Sequence, residues 1–338
     1  MHMDKGRDIN GHINHDARGY QAFCNANEYA YKSVTYMFFI SKKQKQRQIA
    51  ASKSAKCFEG LVGIIKSQPI VKTDDNVLID LTEMGDAVFG IPDAETTGVL
   101  VDAQDAESAQ NPEELGTYLE GDILIPLNNE QADIEGNRNG LLALSTHWPG
   151  GVVPYEIKGQ FTSQELGNIK HAFNEYHSKT CIRFTPRTKE KDYISIVSGK
   201  TGCWSSIGRL GGRQEVNLQS PNCLRTYGTP IHELMHAVGF LHEQNRYERD
   251  GYVKVLSENI KPTMMANFDK GSAKQHSGYG VDYDYGSVMH YSPTSFSKNG
   301  QPTLKALRSS KDAAQMGQRR GFSEGDVRKI NAMYKCKL

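Results

Sequence analysis

The sequence predicts an α+β fold, because the second half of the chain contains both segments with helical periodicity and short β-type segments. A capping box at 162–165 predicts the start of a helix, and apolar residues then recur at spacings of three and four: Leu166, Ile169, Phe173 and Tyr176. Residues 193–197 and 215–218 have the composition of strands.

Two further helices are predicted downstream of these strands. Pro230 suits the first turn of a helix, where a missing N–H costs no hydrogen bond. Ser323 is placed to cap a last helix, which should carry Val327, Ile330 and Tyr334 toward the core.

The helix after Pro230 contains the pattern HExxHxxGxxH between residues 232 and 242. His232 and His236 are four residues apart and therefore project from one helix face, a spacing that can bind one zinc ion. Glu233 lies beside the first histidine, where a carboxylate can take a proton from metal-bound water. Gly239 can end the helix in a left-handed conformation and let His242 return as a third ligand.

A bare HExxH also arises by chance on a polar helix face, and such a histidine pair then binds no metal. The longer pattern fixes five positions, and a methionine turn should follow it in this class of site. Ser287-Val288-Met289-His290-Tyr291 supplies such a turn. The two signals together favour zinc binding over a structural histidine cluster.

Four segments resemble the astacin family of zinc endopeptidases, and the resemblance covers roughly residues 139–338. They are HELMHAVGFLHEQNRYERD at 232–250, GCWSSIGR and GGRQ within 202–214, YGSVMHY at 285–291 and WPGGVVPY at 148–155. The resemblance implies a metzincin catalytic domain with a mixed sheet above the zinc helix. Two subdomains would flank an active-site cleft.

The resemblance also implies a role for each motif residue. One Zn²⁺ per chain would be held by His232, His236 and His242. Glu233 would act as the catalytic base, and Tyr291 would stabilise the transition state. The remaining residues would be structural: Met289 as an apolar floor under the histidines, Gly239 at the helix end, and Glu243 as the partner of a buried terminal amino group.

The six cysteines form no CxxC pair, which argues against a cysteine zinc site and for disulfides in an oxidising compartment. The four in the catalytic region permit three pairings. The family pattern implies Cys181–Cys336 and Cys203–Cys223. Cys24 and Cys57 have no assigned counterpart.

The charge of the chain is divided into three regions. Residues 1–70 carry a net charge of +6, residues 71–135 of −16 and residues 136–338 of +11, counting Lys and Arg against Asp and Glu. We interpret 1–70 as a poorly structured extension and 139–338 as the catalytic domain. The acidic segment complements the basic domain, although charge alone does not distinguish this from a solvated linker.

The acidic segment contains Leu119-Glu120-Gly121-Asp122-Ile123, which is similar to the FEGDI motif of astacin propeptides. The similarity implies that 71–138 is a propeptide and that Asp122 binds the zinc and keeps the enzyme latent. A plain Gly-Asp turn is the alternative. The polar, small sequence at 136–140 is typical of an exposed loop, so an activating protease is expected to cut near Arg138 and free Asn139.

Secretion is expected from the resemblance and the cysteines, although no clear signal peptide opens the sequence. No apolar run approaches the roughly 20 residues that a membrane helix needs.

Polypeptides are the expected substrates. No nucleic-acid partner is expected, and the chain is expected to be a monomer. Arg319 or Arg320 could favour an acidic substrate side chain in the primed part of the cleft; a surface position is the alternative.

The sequence therefore predicts a secreted zinc-dependent endopeptidase that is made as a latent proenzyme. A catalytically silent binding or toxin-like protein on the same fold is the alternative, and an intact Glu233 and Tyr291 argue against it. A zinc-stabilised structural module is a third interpretation, but structural sites usually fill all four metal positions with Cys or His.

Overall fold

The computed structural model of the chain describes residues 88–126 except 106 and 109, residues 147–337 except 273–276 and 309–310, and two short strands at 78–79 and 144–145. These residues belong to one compact unit that runs from Lys72 to Leu338. The predictions made for residues 1–70, for Cys24 and Cys57, and for the cut after Arg138 lie outside the described residues.

The described residues form eleven strands and four α-helices. The strands are β1 (Leu78–Ile79), β2 (Phe89–Gly90), β3 (Ile125–Pro126), β4 (Leu144–Ser145), β5 (Val152–Ile157), β6 (Arg183–Pro186), β7 (Tyr193–Val197), β8 (Cys203–Ser205), β9 (Arg213–Leu218), β10 (Val253–Val255) and β11 (Leu304–Ala306). The helices are α1 (Val99–Asp102), α2 (Ser163–Lys179), α3 (Gly228–Ala237) and α4 (Glu324–Met333).

Five strands form one mixed sheet in the order β6-β5-β7-β9-β8. The first four strands run parallel, and β8 pairs antiparallel with β9. Shorter pairs complete the fold: β1 with β4, β2 with β3, and β10 with β11. This arrangement confirms the predicted α+β class and its mixed sheet.

Helix α2 begins where the sequence predicts. Thr162 caps it by accepting from the Glu165 N–H at 3.3 Å, and the Glu165 carboxylate accepts from the Thr162 N–H at 2.7 Å. Its buried face consists of Ile169, Ala172, Phe173 and Tyr176 beside Glu165. The apolar members pack with sheet residues in the main core, and each buried large apolar side chain is worth roughly 1.5–3 kcal/mol. The helix is thereby fixed to one face of the sheet.

The second half of the catalytic region is less regular. Short 3-10 turns and the β10–β11 pair surround an aromatic cluster that includes Phe268, Tyr283, Tyr285, Tyr291 and Phe296. This cluster is separate from the main core around the sheet.

Two disulfides join distant parts of the catalytic region. Cys181 is bonded to Cys336 across 155 residues, and Cys203 to Cys223 across 20. They are the two pairs that the family pattern implies. The first ties the segment after α4 to the end of α2, and the second ties β8 to the turn before α3.

Among the residues that the structure describes, none of the helices combines the length and the apolar composition needed to cross a membrane.

Candidate active site

The metal motif begins on α3, a helix whose ten residues are all buried. Pro230 lies in its first turn, as predicted. His232 and His236 project from the same face, and their ring centroids lie 4.8 Å apart. At the other end, the Trp148 indole N–H donates to the Ala237 carbonyl at 2.9 Å. A residue from the start of the catalytic region therefore satisfies a carbonyl that the end of the helix leaves without a partner.

Gly239 reverses the chain after α3. Its φ is +110°, in the region that L side chains rarely adopt. The Gly239 N–H donates to the His236 carbonyl at 2.8 Å, and the Phe240 N–H to the Met235 carbonyl at 3.1 Å. The reversal brings the His242 ring to 4.7 Å from the His236 ring, measured between centroids.

The outer nitrogen of each imidazole is held by a hydrogen bond. His232 Nδ1 lies 2.8 Å from the Val288 carbonyl and His236 Nδ1 lies 2.7 Å from the Phe240 carbonyl. His242 Nδ1 lies 2.7 Å from a carboxylate oxygen of Glu120, in the acidic segment. Such outer partners fix ring orientation and leave each Nε2 free to point inward.

The inner nitrogens converge on one carboxylate. Asp122 Oδ2 lies 2.9 Å from His232 Nε2 and 3.4 Å from His242 Nε2, and Asp122 Oδ1 lies 3.3 Å from His236 Nε2. All four residues are buried, and one ligand atom from each lies within 4.8 Å of the others. Three imidazoles and one carboxylate form a donor set suited to zinc.

A second observation supports a metal at this position. Asp122 Oδ1 and His236 Nε2 are buried and form no hydrogen bond with the residues that the structure describes. Buried polar atoms nearly always have partners, since an unpaired one costs roughly 1–3 kcal/mol. His232 Nε2 and His242 Nε2 also face each other at 3.3 Å. A cation between these atoms would satisfy all of them, so the residues fit a zinc ion.

The pKa values of two of these histidines are shifted in opposite directions from the ordinary value. Burial lowers the pKa of His232 to about 3 despite its contact with Asp122, which favours the neutral imidazole that metals bind. Burial also acts to lower the pKa of His242, but the Asp122 and Glu120 carboxylates raise it to about 9. Zinc and a proton compete for this ring, so metal binding would release the proton.

Glu233 lies next to His232 in the same buried region. Neither of its carboxylate oxygens has a hydrogen-bond partner among the described residues. Burial raises its pKa well above 4.5, and the Asp122 carboxylate raises it further. A carboxylate that lacks partners and holds a proton readily is suited to proton transfer.

The methionine turn lies beside the third histidine. The Tyr291 ring centroid lies 4.7 Å from that of His242, and the Tyr291 hydroxyl donates to the Glu120 carbonyl at 2.6 Å. Met289 is buried in the main core with Met235. The turn therefore contributes one apolar side chain to the core and one phenol to the site.

The acidic segment also occupies the cleft beside the metal site. Its Glu114 carboxylate accepts from the Ser292 N–H and hydroxyl, both at 2.7 Å. Glu113 forms a buried ion pair with Arg319. Arg320 is exposed instead and donates to Gln315.

A further part of this segment pairs with the edge of the main sheet. The Leu124 N–H donates to the Ser205 carbonyl at 3.0 Å, and the Ser205 N–H donates to the Asp122 carbonyl at 2.9 Å. The contact is parallel. Residues 122–124 therefore occupy the free edge of β8.

Glu243 lies in a second buried group of charges. Its carboxylate accepts from Lys329 Nζ at 2.7 Å, from Arg246 at 2.8 Å and from the Asp284 N–H at 2.8 Å. Lys329 also lies 3.4 Å from Asp326. Asn139, whose freed amino group was predicted to pair with Glu243, is outside the described residues. Glu243 already has two cationic partners within the domain, Lys329 and Arg246.

The structure thus brings His232, His236, His242, Glu233, Tyr291 and Asp122 into one site. Sequence reasoning missed Glu113, Glu114 and Lys329. The only sequence signal for the two glutamates was the acidic character of their segment. That character indicates charge complementarity with the basic domain, but it does not identify the partner of each residue. Lys329 has no such signal, because it lies on a short amphipathic helix where lysine is usually exposed.

Comparisons with known proteins identify the family. Residues 141–335 match the family model of the Astacin peptidases. The chain is 42% identical over 232 residues to zinc metalloproteinase nas-13 of Caenorhabditis elegans, covering 68% of this chain and 49% of that protein. It is 41% identical over 226 residues to nas-4 of the same organism, covering 66% of this chain and 70% of that protein.

A solved structure agrees with the sequence comparisons. High choriolytic enzyme 1, a hatching enzyme zinc-protease from Oryzias latipes, matches with a TM-score of 0.52 and 39% identity, covering 56% of this chain and 94% of that one. The chain spans only about half the length of nas-13, at 49%. The family model, the relatives and the geometry of the site agree, and the chain belongs to the astacin family.

Proposed function

We propose that this chain is a zinc-dependent endopeptidase made as a latent proenzyme. The observation that carries the proposal is the Asp122 carboxylate seated among the inner nitrogens of three histidines, at 2.9 to 3.4 Å. A structural metal site is expected to take all its ligands from the domain that it stabilises, whereas Asp122 belongs to the segment before that domain. The two disulfides support a secreted protein, since such bonds persist in oxidising compartments.

His232, His236 and His242 would hold the zinc, and Asp122 would fill its fourth position in the latent chain. When bound, zinc supplies Lewis acidity, which lowers the pKa of a coordinated water and polarises a carbonyl. The outer hydrogen bonds to Val288 and Phe240 belong to the catalytic region itself. Two of the three rings therefore keep their orientation when the acidic segment leaves.

Glu233 would move the proton. Its free carboxylate oxygens and raised pKa suit a group that accepts a proton from water and returns it to the leaving amine. Tyr291 would donate its hydroxyl hydrogen to the oxyanion of the substrate. In the latent chain that hydroxyl is bonded to the Glu120 carbonyl, so the donor becomes available only when the segment leaves.

The substrate would bind as an added strand. Residues 122–124 show that the edge of β8 accepts a peptide backbone, and edge pairing is a common way to bind extended peptides. Three contacts of the acidic segment would then keep the chain latent. Asp122 would fill the fourth metal position, the Glu120 carbonyl would accept the Tyr291 hydroxyl, and residues 122–124 would cover the edge of β8. Removal of the propeptide, by a protease that cuts near Arg138, would release all three.

The freed amino group of Asn139 would enter the domain near Glu243. A pocket beside Glu243 is lined by Met235, Phe240, Tyr279 and Met289, among others, which supports this role. Since Lys329 and Arg246 already neutralise Glu243, the new ammonium would join an existing network.

Arg319 would favour an acidic side chain on the primed side of the cleft. It is buried and pairs with Glu113 of the segment, so that segment places a carboxylate where a substrate side chain would lie. Loss of the propeptide would leave a buried cation in need of an anion. Arg319→Gln in the processed enzyme should lower kcat/KM for a peptide with Asp or Glu on the primed side by about tenfold to a hundredfold, the value of a charged hydrogen bond.

A peptide library measures this preference, and Arg320→Gln is the matched control. Equal losses for acidic and neutral peptides in Arg319→Gln would contradict the assignment.

The silent binding protein remains the second candidate, and one experiment separates the two. Zinc content and casein cleavage are measured on the full chain before and after trypsin treatment. We expect zinc in both samples and cleavage only after treatment. Zinc without cleavage in either sample would favour a binding protein, and cleavage of equal rate in both would refute latency.

A further inference from the structure

The propeptide has a contact region that is separate from the metal cleft. Residues 94–104 form a π-type turn, the short helix α1 and the bend after it. Thr97 and Val101 are fully buried, whereas Val99 is 58% exposed. Val101 packs in the main core with Cys223 and Leu224 of the catalytic domain. One face of this short helix therefore docks on that domain.

The two backbones approach each other closely at this contact. A Cβ atom on Gly98 would lie 2.0 Å from the Lys200 carbonyl oxygen. A Cβ on Gly202 would lie 2.5 Å from the Thr97 side chain. A side chain at Gly98 would overlap the Lys200 carbonyl and one at Gly202 would overlap the Thr97 side chain, so the two surfaces fit closely at this contact.

The catalytic domain supplies donors for the carbonyl groups of this segment. Gln219 Nε2 donates to the Gly98 carbonyl at 2.9 Å. Asn222 Nδ2 donates to the Val101 carbonyl, and Arg225 donates to the Gln104 carbonyl at 3.1 Å.

These donors meet the backbone of α1 and of the residues next to it. Gly98 is the residue before α1, Val101 lies within it and Gln104 follows it. Gln219 and Asn222 are both buried. Buried side-chain amides need partners, and these two find them in carbonyl groups of another part of the chain.

We propose that the surface formed by Lys200, Gly202, Gln219, Asn222 and Arg225 is a second peptide-binding site on the catalytic domain. It recognises the backbone of a short helix through carbonyl groups before, within and after that helix, and in the latent chain it holds residues 94–104. It shares no residue with the metal cluster. The site therefore holds the propeptide even when Asp122 is removed.

Hydrogen exchange on the full chain tests this independence without any processing step. In Asp122→Ala, amides of residues 119–124 should exchange faster while those of 94–104 stay near the wild-type rate. In Gly98→Ala, amides of 94–104 should exchange at least about tenfold faster, because the new methyl group meets a backbone carbonyl. Gly98 has helical φ and ψ of −60° and −42°, so alanine itself is acceptable to the local backbone.

Val99→Ala is the matched control, since this neighbouring side chain is exposed, and both regions should keep their protection. Equal acceleration of 94–104 and 119–124 in Asp122→Ala would overturn the proposal, because the propeptide would then dock as one unit. Unchanged protection of 94–104 in Gly98→Ala would overturn it as well. Neither result depends on whether the chain is an active protease.

Discussion

Two buried clusters of charged groups in the described part of the domain differ in how completely their carboxylates are paired. Around Glu243, the carboxylate accepts from Lys329, Arg246 and a backbone N–H. Around the three histidines, Asp122 Oδ1, His236 Nε2 and both oxygens of Glu233 are buried and have no hydrogen-bond partner within the described part of the chain. Both clusters lie in the same domain, so burial alone does not explain the difference.

The comparison separates a structural cluster from a functional one. A cluster whose central carboxylate already accepts several charged donors, as Glu243 does, mainly stabilises the fold. A cluster with unpaired buried atoms carries a cost that a metal or a substrate can remove. The first should govern stability and the second activity, and the substitutions below test that division.

The largest effect is expected for Glu233→Gln. The processed enzyme should lose activity on the order of 10⁴-fold, the upper end for a general acid–base group, because glutamine cannot accept the proton. Stability should not fall, since the carboxylate forms no hydrogen bond with any described residue. Peptide cleavage and urea unfolding measure the two outcomes, with zinc content as control. Activity within tenfold of wild type would remove Glu233 from the mechanism.

Tyr291→Phe should have the next largest effect. Loss of one oxyanion donor typically lowers kcat by about 10²–10³-fold. KM should change little, because the phenol hydroxyl would act mainly in the transition state. The same variant should weaken the docking of the acidic segment, because its hydrogen bond to the Glu120 carbonyl is lost. Steady-state kinetics after processing measure the first effect; an unchanged kcat would indicate that Tyr291 is a packing residue.

Lys329→Met should affect stability instead of chemistry. Removing one partner of a buried ion pair costs roughly 3–5 kcal/mol, and we expect about 3 because Arg246 remains beside Glu243. Urea unfolding of the full chain measures this. Arg328→Met, at an exposed position on the same helix, should change stability by less than about 0.5 kcal/mol. A loss of zinc in Lys329→Met without a loss of stability would contradict the division between the clusters.

Local sequence signals predicted the elements that local interactions determine. The capping boxes at Thr162 and Ser323 are both present, and the HExxH spacing placed two imidazoles on one face of α3. Gly239 reverses the chain because it has no Cβ atom and can adopt a positive φ. These features depend on residues within a few positions of one another, so a sequence shows them directly.

Other features depend on contacts between distant residues and were not predicted. Helix α4 was expected to turn Val327, Ile330 and Tyr334 inward, and Ile330 is buried while Tyr334 packs against the main core. Its buried residues also include Asp326 and Lys329, which were not predicted, and Val327 is only half-buried. Asp326 accepts from the Ser287 hydroxyl at 2.6 Å, and Lys329 reaches Glu243 across 86 residues. The spacing of apolar residues along a helix does not show whether a charged side chain has a buried partner in a distant part of the sequence.

The metal content of the purified chain tests the central claim most directly. The unpaired atoms around Asp122 and His236 should bind one zinc per chain, measured by elemental analysis of the full-length protein. His236→Ala should reduce this content strongly, whereas Lys329→Met should retain one zinc. Wild-type protein without zinc, and with cleavage activity that phenanthroline does not inhibit, would contradict the account.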